Sequence, residues 1–193
     1  MSTYLITGSN RGIGLEYAKQ LKERGEEVIA TCRSSSTELN SIGARIEAGV
    51  DVTSQKSLMV LKENLKSTLI DVLILNAGIS NFDSLFNFDY ENILHQFKVN
   101  TFGPLSMASA LLNNLKKGSK IILMTSRMAS ITNNDSGGYY GYRMSKAALG
   151  MAGKSIAIDL KEKGIIVALL NPGLVDTGFI KSSQKGVTAQ EAV

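Results

Sequence analysis

Thr7-Gly8-Ser9-Asn10-Arg11-Gly12-Ile13-Gly14 joins a short apolar run, Tyr4–Thr7, to a helical pattern that begins at Gly14. Glycines in such a loop let the backbone turn tightly and approach a pyrophosphate, which the N–H groups and positive dipole end of the helix then bind. The spacing is G-x-x-x-G-x-G, and an ordinary glycine-rich turn is the alternative interpretation. The candidate nucleotide contacts are Gly8, Asn10, Arg11, Gly12, Ile13 and Gly14.

Around this loop, apolar runs of strand length alternate with helical patterns along the chain. The predicted strands are Tyr4–Thr7, Val28–Cys32, Gly49–Val52, Leu69–Leu75, Lys120–Met124 and Ile165–Leu170. The predicted helices are Gly14–Arg24, Thr37–Arg45, Gln55–Lys66, Asp89–Leu115 (interrupted at Gly103-Pro104) and Tyr142–Lys163. Because the strands are almost continuously apolar, we expect an α/β fold with a parallel sheet and helices on both faces. Right-handed crossovers make a doubly wound sheet, the Rossmann fold, the simplest topology.

Length and composition are typical of a single domain spanning residues 1–193. Hydrophobic residues make up 44% of the chain and charged residues 20%, which excludes intrinsic disorder. The net charge of +4 is small, and acidic residues are interleaved with the basic ones along the chain, so nucleic acid is not an expected partner. No apolar run approaches the roughly 18 residues of a membrane span. Without a secretion signal at the N-terminus, we expect no membrane partner and a cytoplasmic location.

The scarcity of cysteine and histidine limits the chemistry. Cys32 is the single cysteine, which excludes an internal disulfide and a cysteine-based metal cluster. His95 is the single histidine, which argues against a histidine-rich metal site and a Ser-His-Asp arrangement. We therefore predict no metal site, and we interpret His95 as a helix-surface residue.

The residue at the end of the second strand selects between the two nicotinamide dinucleotides. An acidic residue at this position would hold the ribose 2′-hydroxyl of NAD, whereas an arginine suits the 2′-phosphate of NADP. The chain has Arg33 there, and Arg11 in the glycine loop is expected to reach the same phosphate. Each arginine is by itself also compatible with a solvated surface charge. The combination with the loop favours NADP(H) as cofactor.

Two further loops are predicted to border the cofactor. Asp51-Val52 follows the third predicted strand, where Asp51 would accept a hydrogen bond from the adenine amino group. Asn76-Ala77-Gly78 follows the fourth, where Asn76 would brace the central strands and Gly78 would let the cofactor pass closely. The alternatives are a loop carboxylate near a helix start for Asp51 and a plain turn for the tripeptide.

Tyr142 and Lys146 place a phenol and an ammonium four residues apart on one helical face. A free tyrosine has a pKa of about 10, too high for ready proton exchange at neutral pH. A nearby cation favours the phenolate, so we expect Lys146 to lower the pKa of Tyr142. Exposed Tyr/Lys pairs are nevertheless common on helices, so the pair needs further context.

That context comes from a set of residues in a fixed order: Thr7, Gly8, Gly12, Gly14, Asn76-Ala77-Gly78, Asn100, Ser126, Tyr142, Lys146 and Asn171-Pro172-Gly173. The set resembles the short-chain dehydrogenase/reductase family over the whole chain. The segments Thr125–Ser130 and Gly137–Lys146 are similar to the C-factor-like and sniffer-like carbonyl reductases, whose spacing from Ser to Tyr is lengthened. Here Tyr142 follows Ser126 by 16 residues. Thr125-Ser126 stands where the commonest members have Ser-Ser.

The resemblance implies a role for each matching residue. Tyr142 would donate a proton to the substrate carbonyl oxygen, or accept one during alcohol oxidation. Ser126 would hydrogen-bond the same oxygen, and Lys146 would bind the nicotinamide ribose and lower the pKa of Tyr142. Contacts with the nicotinamide would come from Pro172, Gly173, Val175 and Thr177.

Asn100 is implied by the same resemblance to be the fourth catalytic residue. A separate observation supports a special backbone here, because Pro104 has no N–H to donate to the Asn100 carbonyl four residues earlier. We expect the freed carbonyl to hold a water that connects Lys146 to solvent.

The predicted function is reduction of a ketone or aldehyde by NADPH, or the reverse oxidation of an alcohol. The rival from another class is an NADP(H)-binding sensor with little turnover, and an extended sugar-nucleotide enzyme is a weaker third. The substrate is a small carbonyl or alcohol compound that the sequence does not name. Its specificity is expected to come from Arg127–Gly141 and from residues after Thr177.

The end of the chain suggests a missing element. Thr188-Ala189-Gln190-Glu191 is a capping box that predicts a helix, yet the sequence stops at Val193. Family members usually continue through a helix and a seventh strand, without which Ile165–Leu170 is an open sheet edge. We therefore expect a C-terminally truncated chain, or else a homo-oligomer in which a second subunit covers this edge.

Overall fold

The computed structural model describes residues 1–177 and 186–193. Its strands are β1 (Thr3–Thr7), β2 (Glu27–Cys32), β3 (Arg45–Ala48), β4 (Ile70–Leu75), β5 (Leu115–Met124) and β6 (Ile166–Leu170). They form one sheet in the order β3-β2-β1-β4-β5-β6, and every pairing is parallel. This order is that of a doubly wound sheet, so the predicted fold class is confirmed.

Helices cover both faces of the sheet. They are α1 (Gly12–Glu23), α2 (Thr37–Ser41), α3 (Gln55–Asn64), α4 (Tyr90–Phe97), α5 (Gly103–Ala110), α6 (Tyr140–Asp159) and α7 (Ala189–Ala192). Successive residues of β1 point to opposite faces. Leu5 packs into the cluster formed with α3, α5 and α6, and Ile6 packs into the cluster formed with α1 and α2. No helix of the described residues is long and apolar enough to cross a membrane.

The third strand lies earlier than predicted. The predicted strand is Gly49–Val52, whereas β3 covers Arg45–Ala48. Gly49 has a φ of 77° and turns the chain out of the strand, while the Val50 N–H still donates to the Cys32 carbonyl over 3.0 Å. The prediction was wrong because Val50, which is buried, looks more like a strand residue than the half-exposed residues of this edge strand do.

The predicted long helix Asp89–Leu115 is divided into several parts. Asp89 caps α4, and α4 is followed by a π-helical turn over Lys98–Phe102, in which the Gly103 N–H donates to the Lys98 carbonyl. α5 then begins at Gly103 with Pro104 in its first turn. The predicted interruption at Gly103-Pro104 is therefore confirmed, and it takes the form of one wide turn.

The other helix and strand ends differ by a few residues. α5 ends at Ala110 and β5 begins at Leu115, five residues before the predicted start at Lys120, because the polar stretch after Leu115 hides the strand pattern. α6 begins at Tyr140, before the predicted Tyr142, and ends at Asp159. Ser54 caps α3 through a hydrogen bond from the Ser57 N–H.

Candidate active site

The carboxyl ends of the central strands open into a cleft with a volume of about 520 Å³. The cleft brings together residues from six loops that are far apart in sequence. The predicted site residues that line it are Gly8, Asn10, Arg11, Gly12, Ile13, Arg33, Asp51, Val52, Asn76, Ala77, Gly78, Ser126, Tyr142, Lys146, Pro172, Gly173, Val175 and Thr177. Gly14 and Asn100 do not line it and lie buried beside it.

The glycine loop folds back over the start of its own helix. Gly8 and Gly12 have φ values of 70° and 57°, a region of backbone space that favours glycine. A Cβ on Gly14 would lie 2.3 Å from the Gly8 carbonyl oxygen and 2.6 Å from Asn76 Nδ2, so no side chain fits there. The Gly8 N–H donates to the Thr31 carbonyl over 2.9 Å, which fixes the loop against β2.

The N-terminus of α1 has no cap from its own side chains. Arg11, which precedes the helix, is extended and makes no capping hydrogen bond, and the first turn of this 12-residue helix contains no acidic residue. The first N–H groups and the positive end of the helix dipole therefore face the cleft without a local anion. This is the environment that binds phosphate at a helix N-terminus.

Asn76 joins the ends of the two central strands. Its Nδ2 donates to the Thr7 carbonyl over 2.9 Å, and Thr7 Oγ1 accepts from the N–H groups of Asn76 and Ala77 at 3.0 and 2.9 Å. The brace expected of Asn76 is present. A Cβ on Gly78 would lie 3.3 Å from Asn100 Oδ1 and 3.6 Å from Lys146 Nζ, so this loop passes closely over the polar side chains below it.

Two arginines line the cleft. Arg11 and Arg33 are both exposed, and neither guanidinium forms an ion pair within the described residues. Asp51 lies near Arg33, and its pKa is lowered chiefly by hydrogen bonds from the Thr53 hydroxyl and N–H, with smaller contributions from Arg33 and His95. The carboxylate is therefore charged at neutral pH and already has a partner in Thr53.

Asn100 uses its side chain to join two segments. Oδ1 accepts from the Ile79 N–H at 2.8 Å, and Nδ2 donates to the Ile79 carbonyl at 2.8 Å and to Ser145 Oγ at 3.0 Å. The π-helical turn carries Asn100 between the loop after β4 and helix α6. The observed function of the Asn100 side chain is therefore to hold these two segments together.

Lys146 is almost completely buried, with 4% of its surface exposed. Its Nζ donates to the Met124 carbonyl over 2.7 Å and lies 5.8 Å from the centroid of the Tyr142 ring. Burial lowers the pKa of Lys146 to about 8, because a buried ammonium loses its hydration. The lysine thus holds its charge at neutral pH and loses it under mildly alkaline conditions.

Tyr142 is the third residue of α6 and hydrogen-bonds with Ser126. Burial raises the pKa of the Tyr142 phenol, and the hydrogen bond with Ser126 acts in the opposite direction without reversing the shift. Lys146 was expected to lower this pKa, but the net shift is upward because the loss of hydration on burial dominates. The phenol is therefore protonated at neutral pH, and Ser126 Oγ also accepts from the Met128 N–H at 3.1 Å.

Sequence reasoning missed several residues of the cleft. His95 is exposed, as predicted, but it also lines the cleft one helical turn before Val99. The spacing of four residues to Val99, which precedes Asn100, was a signal that both face the site. The remaining ones are Thr31, Cys32, Val50, Ile79, Met124 and Thr125, while Asn171 and Leu174 line the cleft on either side of the predicted Pro172-Gly173. Of the predicted specificity segments, residues 178–185 lie outside the described residues.

The fold and these side chains together define the class of protein, an α/β oxidoreductase of the doubly wound type. The family described as short chain dehydrogenase matches residues 2–188, and the chain belongs to it.

Named relatives fit the same assignment. The chain is 41% identical over 183 residues to the 1-hydroxy-2-glutathionyl-2-methyl-3-butene dehydrogenase of Rhodococcus sp. (strain AD45), covering 94% of this chain and 81% of the relative. The carbonyl reductase Sniffer of D. melanogaster superposes with a TM-score of 0.89 at 29% identity, covering 100% of this chain and 88% of that one. The NADPH-bound carbonyl reductase from chicken fatty liver has a TM-score of 0.89 at 28% identity, with the same two coverages of 100% and 88%. The predicted resemblance to sniffer-like carbonyl reductases is confirmed.

Proposed function

We propose that the protein transfers hydride between NADP(H) and a small carbonyl or alcohol compound. The observation that carries the proposal is the position of the buried Tyr142 phenol, hydrogen-bonded with Ser126 in the same cleft as the glycine loop. A cofactor loop without a proton donor would suit a binding protein, and a Tyr/Lys pair without the loop would suit a surface helix. Both occur here around one cavity.

The residues present fit a dinucleotide. A Cβ on Gly12 would lie 3.3 Å from the Thr177 side chain, so the glycine loop and the segment that carries Thr177 approach closely at the cleft. The uncapped N-terminus of α1 suits the pyrophosphate, and Arg11 and Arg33 suit a 2′-phosphate. The NADPH carried by the chicken carbonyl reductase, which has the same fold over the whole of this chain, supports this choice of cofactor.

When bound, the reduced nicotinamide supplies the hydride. Tyr142 donates the phenolic proton to the carbonyl oxygen as charge develops there, and the raised pKa keeps that proton on the phenol beforehand. Ser126 donates a hydrogen bond to the same oxygen and fixes its position. Lys146 binds the nicotinamide ribose and, as an ammonium, stabilises the phenolate that Tyr142 leaves behind. Alcohol oxidation uses the same groups in reverse.

The named relatives indicate which substrates to try first. The Rhodococcus relative is, by its name, a dehydrogenase of a glutathionyl-bearing alcohol, and the insect and chicken structures are carbonyl reductases. The panel therefore contains aldehydes, ketones and thioether alcohols that carry a glutathionyl group.

The test is oxidation of NADPH, followed by its absorbance, with each carbonyl compound, and reduction of NADP⁺ with each alcohol. We expect turnover with at least one compound and loss of that turnover in Tyr142→Phe. Tight binding of NADPH without turnover on any compound would favour the rival function, an NADP(H)-binding sensor.

A further inference from the structure

Asp83 is a buried carboxylate in the segment between β4 and α4, with 1% of its surface exposed. Its carboxylate accepts hydrogen bonds from the backbone N–H groups of Tyr140 and Gly141, the first two residues of α6, with 3.1 Å between Gly141 N and Oδ2. Its own carbonyl accepts from the Tyr139 N–H at 2.8 Å. A side chain 57 residues away thus caps the helix that carries Tyr142 and Lys146.

Helix α6 has no cap of its own. Tyr139 precedes it in the left-handed region, with φ of 52° and ψ of 38°, and its side chain makes no capping hydrogen bond. A bulky residue rarely adopts this conformation, so it persists here because its surroundings fix it. The Phe82 ring packs edge-on against the Tyr139 ring with 5.0 Å between centroids, beside the Asp83 contacts.

Gln96 on α4 completes the arrangement, which we name the Asp83 cluster (Asp83, Gln96, Tyr139, Tyr140 and Gly141). Gln96 is fully buried, and its Nε2 donates to Asp83 Oδ2 at 3.4 Å. A Cβ on Gly141 would lie 2.5 Å from Gln96 Nε2 and 3.1 Å from Asp83 Oδ2. Gly141 is therefore glycine because the carboxylate and the amide approach the helix too closely for a side chain.

The cluster determines where the first turn of α6 lies. Tyr142 follows directly after the two capped residues, so a shift of this turn moves the phenol relative to Ser126. A displacement of about 1 Å in a catalytic group is enough to cost roughly a hundredfold in rate. We propose that Asp83 is a positioning residue, which acts through the first turn of α6 to hold Tyr142 in its reactive place. The inference rests on the proposed function.

The first experiment measures turnover for each molecule that binds NADPH in Asp83→Ala and Asp83→Asn. Titration with NADPH counts the folded sites, so a variant that merely folds less well keeps the wild-type rate per site. We expect the rate per site to fall about tenfold or more in Asp83→Ala. We expect a smaller fall in Asp83→Asn, because the amide oxygen still accepts one bond, and a change of less than about threefold in the NADPH dissociation constant of either variant.

Two further variants make the comparison specific. Asp89→Ala removes a carboxylate cap of the same chemistry from α4, where Oδ1 accepts from the Asn92 N–H at 3.0 Å, and should leave the rate per site unchanged. Alanine at position 141 favours the helix more than glycine does, but its methyl group displaces Gln96 and Asp83. We therefore expect Gly141→Ala to turn over more slowly although its helix propensity is higher. Gly141→Ala also serves if Asp83→Ala does not fold.

The second experiment needs no turnover. Amide hydrogen exchange at Tyr140 and Gly141 is expected to be slow in the wild type, unlike that of an uncapped first turn, and at least about tenfold faster in Asp83→Ala. Faster exchange with an unchanged rate per site would overturn the positioning role, as would an unchanged rate per site in Gly141→Ala. A wild type without turnover on any compound would instead refute the proposed function, and the positioning role with it.

Discussion

At the scale of single residues, Arg33 tests the choice of cofactor. Replacing Arg33 with Asp removes a charge-assisted contact with the 2′-phosphate and adds repulsion. We expect NADPH to bind about tenfold to a hundredfold more weakly, and NADH to bind equally well or better. Fluorescence titration with both cofactors measures this.

The matched control is Arg24→Asp, which changes the net charge equally at an exposed position outside the cleft. It should leave both affinities unchanged. Equal affinity of the wild type for NADPH and NADH would contradict the role of Arg33.

Tyr142 tests the assignment of the proton donor. Tyr142→Phe keeps the ring and removes the hydroxyl, so we expect turnover to fall about a hundredfold to ten-thousandfold while NADPH affinity stays near normal. Steady-state kinetics and a cofactor titration on the same preparation separate the two effects. Substantial reductase activity in the variant would show that another group donates the proton.

Lys146 sets the expected pH dependence of reduction. Its pKa is about 8, so the ammonium is present below that pH and is lost as the pH rises through it, while the raised pKa keeps Tyr142 protonated. We expect the reduction rate to be flat near neutral pH and to fall above about 8. Lys154→Ala, an exposed lysine on the same helix, should keep this profile, and a profile without the alkaline fall would contradict the role of the Lys146 charge.

At the scale of elements, the turn from β1 into α1 depends on the absence of a side chain at Gly14. Gly14→Ala would place a methyl group 2.3 Å from the Gly8 carbonyl oxygen, so the loop must move and Asn76 must give way. We expect NADPH binding to weaken by at least about tenfold, even though alanine favours the helix. Calorimetric titration measures the loss.

Gly150→Ala is the control for helix propensity. A Cβ at Gly150 on α6 meets no atom within 4 Å. Gly150→Ala should raise the free energy of unfolding by about 0.5–1 kcal/mol and should bind NADPH normally. If Gly14→Ala binds NADPH normally, the close packing around Gly14 is not required for cofactor binding.

The elements also show where sequence reasoning succeeds. The strand Ile70–Leu75 is apolar except for Asp71 and was predicted within one residue, because burial determines most of its composition. The edge strand β3 and the first half of β5 were not predicted correctly, because their exposed residues follow no burial pattern. The interruption at Pro104 was visible from the missing N–H of proline, whereas its π-helical form over Lys98–Phe102 was not.

At the scale of the whole molecule, more of the residues that line the candidate site were predicted than of the residues that hold those side chains in place. Arg33 was predicted from its position at the end of the second strand, whereas Ser126 was predicted from the family resemblance. Asp83 and Gln96 were not identified, because nothing in the sequence joins a loop aspartate to a helix start 57 residues later. Long-range polar contacts of this kind carry no periodic signal.

Cofactor binding should stabilise the whole domain, because the cleft draws on loops from both halves of the sheet. NADPH at a hundred times its dissociation constant is expected to raise the free energy of unfolding by about 2.7 kcal/mol. Chemical denaturation with and without NADPH measures the difference. Arg33→Asp should reduce this gain at the same NADPH concentration, and an equal gain in both proteins would place the arginine outside the binding site.

The central place of β1 in the sheet also determines the order in which the chain can fold. Leu5 pairs with Ile29 on one side and with Leu73 on the other, so β1 belongs to both halves of the sheet. During synthesis, β1 and α1 can pack as soon as β2 has left the ribosome, but the second edge of β1 must wait for β4. Until then that edge exposes unpaired backbone groups next to apolar side chains, which is a hazard for association between nascent chains.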